Sequence, residues 1–380
     1  MSIAVNTAAL SKNWKRYQIM HKDRRVASIR ENGTCTVYRP SFMPFNSYLE
    51  KASENDVDAR VNNLNNFYYW CASRVLTLDR KYAKEIMNTI GAKQTVTDKD
   101  RAAVSLSYHA LSLTDVYWVK QDGEKLVFAD ICLYNHSLSG AFADVSLSGR
   151  QLTVENSELI TRGDVAGDVS TQGVSAKAWI RENGTFFLLK DGDRRDVDAE
   201  ILASKIIDCF DVKHVSYSSS KFDNQHVSKS EIITSQDYSI VPIEYIEIYC
   251  LNNDLDKMAF ILKEDAYSYH MMNIIDYLIG NTDRHWGNWG FLIDNKNNKP
   301  CGLYPLMDFN KAFTAYDVID GGPCQTSAAP MSQKDAALEG VRKVGLNQTH
   351  EVLEDWFQNK KQAQMFFARL DVLKGAGVTK

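Results

Sequence analysis

Gly280-Asn281-Thr282-Asp283-Arg284-His285-Trp286-Gly287-Asn288-Trp289-Gly290-Phe291, followed by Pro305-Leu306-Met307-Asp308-Phe309-Asn310, is the stretch on which the reading of this chain turns. It sets Asp283 and Asn288 five apart in a glycine-bounded loop and places Asp308 20 residues after Asn288. Magnesium takes oxygen ligands, usually one or two from protein side chains, with nucleotide phosphates completing its octahedron. Asn288 and Asp308 can supply those oxygens. Asp283, not spent on metal, is free to orient an attacking hydroxyl and accept its proton. Arg284 or His285 can neutralise charge near a transferring phosphoryl group. The combination points to phosphoryl transfer.

The flanks give this loop a frame. Residues 269–279 place Met271, Ile274, Ile275 and Leu278 at helical spacing, so one face is apolar, and Gly280 ends the helix. Residues 290–293 and 302–307 read as two short strands joined by the polar turn 294–300. The loop is therefore expected between a helix and a hairpin.

Asp283-Arg284-His285-x-x-Asn288 and Asp308-Phe309-Asn310 together resemble the catalytic and metal-binding segments of HipA-like bacterial serine/threonine kinases. More distantly they are similar to the D-R-H-x-x-N and D-F-G elements of the phosphatidylinositol 3/4-kinase superfamily, with Asn310 where that pattern has Gly. The resemblance covers about residues 145–320 and implies a two-lobed, protein-kinase-like core, a small β-rich N-lobe and a helical C-lobe; it does not reach the front region, whose own pattern reads as α+β, so the chain as a whole is expected to be α+β. The corresponding bounds are 1–143 for the front region, 144–230 for the N-lobe and 231–380 for the C-lobe. It also implies ATP and Mg²⁺ as cofactors, a Ser or Thr acceptor on a protein, and an antitoxin-like inhibitor as partner. A further implication is autophosphorylation, with Ser170, Thr171 and Ser175 as candidate positions. For His285, the likeness to lipid kinases implies transition-state stabilisation; a structural histidine is the alternative.

Upstream, a loop before a hairpin can turn backbone N–H groups onto phosphates. Thr171-Gln172-Gly173-Val174-Ser175-Ala176-Lys177 occupies that place and resembles the G-x-x-x-K phosphate loop of HipA-like proteins. Neither G-x-G-x-x-G nor a Walker lysine motif occurs, which excludes the eukaryotic-type kinase and P-loop patterns. Asn183-Gly184 turns the strand 178–181 back into 185–190, which ends on Lys190, the candidate for pairing with nucleotide phosphates. An apolar stripe of Val197, Ile201, Ile206 and Cys209 marks a helix over 196–210, and Glu200 in its first turn can hold Lys190 in place. The alternatives are a solvated strand-end lysine and a solvated acid. Residues 212–217 and 225–233 read as strands, and 227–231 stands where a hinge would meet adenine.

In the front region Asn32-Gly33 signals a type I′ hairpin. The six residues from Ile29 to Thr34 are identical to those from Ile180 to Thr185 and read as one turn solution used twice. Helices are expected over 57–76 and 80–90, and a Thr97/Asp100 capping box opens a third. Arg74, Arg80, Arg101, His109 and Asp115 make either a second polar site or a set of structural salt links. Beyond Asp308, residues 315–332 are irregular and placed like an activation or substrate loop. Ser332 with Asp335 caps a helix through 344, residues 349–373 read as helix, and 375–380 as a frayed tail.

Length and composition set outer bounds. At 380 residues, with 44% hydrophobic and 24% charged, the chain exceeds one typical domain. A net charge of -4 gives no direct nucleic-acid or membrane signal. Seven scattered cysteines, odd in number and without C-x-x-C, fit reduced thiols in a cytoplasm. The N-terminus lacks a signal-peptide pattern, and no apolar run is long enough to span a bilayer. Two other readings remain: a lipid or small-molecule kinase, and a non-catalytic nucleotide-binding switch module.

Overall fold

The front of the chain builds a four-stranded antiparallel sheet, β3-β2-β1-β4, from β1 (Arg16–His21), β2 (Arg24–Arg30), β3 (Cys35–Val37) and β4 (Tyr117–Gln121). Between β3 and β4 lie α1 (Val57–Ala72), α2 (Ala83–Thr89) and α3 (Asp98–Ser107), and α4 (Phe128–Ile131) follows. This computed structural model describes residues 14–77, 79–89, 97–135, 146–147, 175–191 and 193–377. The expected boundary at 143/144 and the helix stop at Gly91 lie outside them. Ile19, Val26, Ala27 and Ile29 of the sheet pack on Phe67, Trp70 and Cys71 of α1. The helix buries Phe67, Trp70 and Cys71, while Val61 is exposed. The Thr97 capping box is present, with both reciprocal bonds formed.

A second antiparallel sheet, β5-β6-β8-β7, is made by β5 (Lys177–Glu182), β6 (Thr185–Asp191), β7 (Tyr217–Phe222) and β8 (Gln225–Glu231), with α5 (Arg194–Ile207) between β6 and β7. Glu200 falls in the second turn of α5, because the helix begins at Arg194 behind its N-cap Asp193. The strand expected over 212–217 is instead β7, starting at Tyr217. Its Ser218-Ser219-Ser220 run carries no apolar alternation because β7 is the sheet's edge. Residues 227–231 are not a hinge: they sit mid-sheet, and their backbone pairs with β6 on one side and β7 on the other.

The rest is helical around a small third sheet, β11-β10-β9. β9 (Tyr238–Pro242), α6 (Ile243–Asn252), α7 (Lys257–Ile279), β10 (Gly290–Asp294) and β11 (Lys299–Leu303) lead into α8 (Gln333–Val344) and α9 (Lys360–Gly377). Every residue of α7 from 269 to 279 is buried, so the apolar face foreseen there is only part of a helix enclosed on all sides. The helix starts earlier than expected and is interrupted at Asp265 (φ -159°, ψ 75°), whose carboxylate accepts from Ser268 and Leu303 N–H groups at 2.9 Å each. β11 ends at Leu303, so 304–307 are not strand, although Leu306 bridges to His214. Ser332 caps α8 as expected. The last helix begins only at Lys360 and runs to Gly377, so 375–377 are not a frayed tail; 378–380 lie outside the described residues. Among the described residues no helix is long and apolar enough to cross a membrane.

The repeated hexapeptide makes two different turns. Asn183 (φ 50°) and Gly184 (φ 88°) both take positive φ in a two-residue loop pairing Glu182 with Thr185, as type I′ requires. At the front only Gly33 is positive (φ 86°); its N–H donates to Arg30 O, and the Asn32 carboxamide accepts from Thr34 N. The expected type I′ turn is absent there because Arg60 of α1 donates to Asn32 O at 2.7 Å and pulls the loop onto the helix. A Cβ on Gly33 would lie 2.2 Å from Arg60 O, whereas one on Gly184 meets nothing within 4 Å. Gly184→Ala is therefore expected to cost roughly 1–2 kcal/mol for the left-handed backbone alone, and Gly33→Ala about twice that because overpacking adds to it. Urea unfolding midpoints of the two variants check the order.

Candidate active site

Gly280 closes α7 in the left-handed conformation (φ 60°), and residues 281–289 fold back over the helix end. What holds them is Arg284, 2% exposed. Its Nε and Nη2 donate to the two carboxylate oxygens of Asp276 at 2.9 and 3.0 Å, and its Nη1 to the carbonyls of Asn288 (2.9 Å) and Met307 (2.7 Å). Arg284 is thus committed to the frame and not available to a phosphoryl group, which corrects one of the two options for it and His285. Asp276 also accepts from the Asn281 carboxamide at 3.0 Å, and Asn281 Oδ1 in turn accepts from Asp283 N–H at 3.2 Å.

Asp283 is half-buried, and its carboxylate has no hydrogen-bond donor among the described residues. Burial raises its pKa above the usual 3.8; the neighbouring His285 opposes this, and the Asp308 charge adds to it. His285 is exposed, its Nδ1 accepting from Gly287 N–H at 3.0 Å. Asn288 is buried and donates through Nδ2 to Asp283 O at 2.8 Å, which leaves its Oδ1 without a donor among the described residues.

The opposite wall comes from the second sheet. Lys190, in β6, stands in register with Lys177 of β5 and Ser228 of β8. Its ammonium contacts Glu200 Oε1 at 3.3 Å and forms a close ion pair with Asp308 Oδ1. Glu200, 1% exposed, accepts from Ser228 Oγ at 2.6 Å. Burial disfavours the Lys190 charge, but Asp308 and Glu200 outweigh it and hold the ammonium protonated. Lys177 is lowered to about 7 by burial and by Lys190, against the opposing pull of Asp308 and Glu200. Burial pushes Asp308 upward, yet Lys190 and Lys177 hold it at about 2. Lys311 is tied to Asp196 of α5 at 2.7 Å.

The structure therefore brings Asp283, His285, Asn288, Asp308, Lys177, Lys190 and Glu200 to one locality. Ala176, buried, accepts from Asp191 N–H at 2.8 Å, and Ser175 is half-buried beside it. Gln172, Gly173 and Val174, with Ser170 and Thr171, lie outside the described residues. An amide oxygen and a carboxylate, both hard donors, suit Mg²⁺, and among the described residues no cluster of three His, Cys, Asp or Glu is placed to hold a metal. A magnesium ion here would take its other ligands from phosphate oxygens and water. The front polar residues do not converge on a second site. Arg74 pairs with Asp115 at 2.7 Å, Arg101 binds Val75 O at 3.0 Å, His109 binds Val119 O at 3.0 Å, and Arg80 binds Lys177 O at 2.5 Å. Asp276 was missed from sequence; an acid inside the apolar run 269–279 was its signal. Nothing in the sequence marks Tyr217, whose Oη accepts from Asp308 N–H at 3.1 Å.

No family model matches the chain, and no curated protein matches it. Among solved structures it is similar to HipA of a Shewanella oneidensis MR-1 toxin–antitoxin system, solved with HipB and operator DNA, at 11% identity, 94% coverage of this chain, 97% of that chain and TM-score 0.50. It also matches CtkA, a Helicobacter pylori proinflammatory kinase, at 14% identity over 52% of this chain and 90% of that chain, with TM-score 0.39. The chain has a HipA-like fold, and the likeness reaches into the front region, where no motif had pointed.

Removing Asp276 leaves the Arg284 guanidinium buried without its carboxylate. Asp276→Ala is expected to cost roughly 3–5 kcal/mol, and Arg284→Lys a comparable loss because an ammonium cannot reproduce the fork. His285→Ala, on the surface, should stay within about 0.5 kcal/mol of the parent. Urea denaturation followed by circular dichroism distinguishes them.

Proposed function

We propose that this chain is an ATP- and Mg²⁺-dependent kinase that transfers a γ-phosphoryl group to a Ser or Thr of a protein. The observation that carries the reading is Lys190, held charged between Glu200 and Asp308, with an uncommitted Asp283 carboxylate across the same site. In this reading the sheet of β5 to β8 with α5 is the small lobe, and α6 to α9 with the third sheet form the helical lobe. Fold likeness to HipA supports the class, while the chemistry is argued from the residues.

Asp283 orients the acceptor hydroxyl and takes its proton as that oxygen bonds to the γ-phosphorus and the bond to the bridging oxygen breaks, ADP leaving with that oxygen. Lys190 lends positive charge to the phosphates, and Glu200 keeps that ammonium in place. Asn288 locks the loop through Asp283 O and offers its Oδ1, with the Asp308 carboxylate, to the metal. Mg²⁺, when bound, neutralises charge on the phosphate oxygens. His285 is a candidate for stabilising the transferring group because it is exposed on the same loop. HipA of S. oneidensis was solved with HipB and operator DNA, and we extend to this chain an antitoxin-like inhibitor and, through it, DNA. The expectation of no nucleic-acid partner, drawn from net charge, is accordingly not retained.

Transfer of ³²P from γ-labelled ATP to the chain itself and to a generic protein acceptor tests this. Asp283→Ala should lower kcat roughly 10²–10⁴-fold with ATP binding retained, and Asp308→Ala should abolish transfer. Full labelling by either variant overturns the assignment. Label on liposomes with none on protein would favour a lipid kinase, and ATP binding without transfer a switch module. The base must be ionised to act, so kcat should fall with decreasing pH through a pKa above 3.8, the direction in which burial moves Asp283. Asp283→Asn should remove that acid limb from the residual rate.

A further inference from the structure

Beyond the residues given roles above, one more side chain touches the centre. Tyr217 is the first residue of β7, and its position is set by the second sheet. Its backbone pairs with Ser230 of β8, and its N–H donates to Ser204 Oγ of α5 at 3.1 Å. From there the phenol reaches across: Oη accepts the Asp308 N–H at 3.1 Å, and the ring meets Phe309 edge-on at 6.0 Å.

The Asp308 N–H and the Met307 carbonyl belong to one peptide unit. Arg284 of the catalytic loop binds the carbonyl at 2.7 Å, and Tyr217 binds the N–H. That peptide plane is clamped from both sides, by groups on different elements. The clamp matters because Asp308 has φ 62°, a left-handed conformation that a non-glycine residue leaves readily unless its surroundings hold it. Rotation of this plane would swing the carboxylate away from Lys190.

We infer that Tyr217 is a positioning residue for Asp308: its phenol oxygen holds the 307–308 peptide so that the carboxylate is aimed for a divalent cation, and it couples the lysine-bearing sheet to that ligand. The inference rests on the reading of Asp308 as a metal ligand. Tyr217→Phe keeps the ring against Phe309 and the β7 pairing and removes only the acceptor.

The test is Mn²⁺ binding followed by electron paramagnetic resonance in the presence of a non-hydrolysable ATP analogue, with analogue affinity measured separately without metal. Loss of an outer-shell partner weakens metal binding by roughly 10–100-fold, so Tyr217→Phe should raise the Mn²⁺ Kd about 10-fold and leave metal-free analogue affinity unchanged. Asp308→Asn should abolish metal binding. An unchanged Kd in Tyr217→Phe, with Asp308→Asn inactive in binding, overturns the positioning role and leaves the kinase reading standing. Normal Mn²⁺ binding by Asp308→Asn overturns that reading itself. A Tyr217→Phe chain that does not fold is replaced by Ser204→Ala, which loosens the start of β7 with the phenol intact. Because Ser204 acts one hydrogen bond further from the cation, it should raise the Kd by less than the roughly 10-fold expected for the phenol, and no change there counts against the proposal.

Discussion

The pair formed by Arg284 and Asp276 is the interaction on which the rest of this site depends. Both side chains are nearly excluded from water, at 2% and 6% exposed. Burying two ions costs several kcal/mol each unless their hydrogen-bonding capacity is met. Here it is met in a way that forces geometry: one guanidinium joins the last turns of α7, the carbonyl of Asn288 and the carbonyl of Met307. Three segments distant in sequence can satisfy that cation only in one arrangement. Asp283, Asn288 and Asp308 are consequences of it.

The electrostatic order of the site follows from two lysines on adjacent strands. Lys177 and Lys190 are register partners, so two ammonium groups would face each other without water to screen them. Glu200 and Asp308 resolve this in favour of Lys190, and Lys177 is left with a pKa of about 7.

Not every charged residue that resembles a functional one is functional. Arg284 lies in the motif and would be taken for a phosphate-binding group, yet all its bonds are internal. Arg74 and Asp115 in the front region likewise form a bidentate structural link. The start of the irregular segment, 315–318, is held by Arg369, which donates to Ala315 O at 2.5 Å and Val318 O at 2.8 Å. Arg284 and Arg369 thereby satisfy carbonyls that irregular backbone leaves without partners.

Local chemistry was legible in the sequence wherever a residue acts through its near neighbours. The caps at Thr97 and Ser332, the stop at Gly280, the type I′ turn at Asn183-Gly184 and the spacing of Asp283, Asn288 and Asp308 all belong to this kind. The Lys190–Glu200 pair was legible as well, as one of two readings, because strand and helix are consecutive. What required the tertiary structure was every feature decided by a distant partner. Arg60 changes the turn of a hexapeptide that folds differently 151 residues later, the edge position of β7 permits its serines, and Tyr217 meets Asp308 across 91 residues. Sequence spacing specifies backbone torsions over one or two turns, whereas the partner of a buried polar group is chosen by which elements the core has packed beside it.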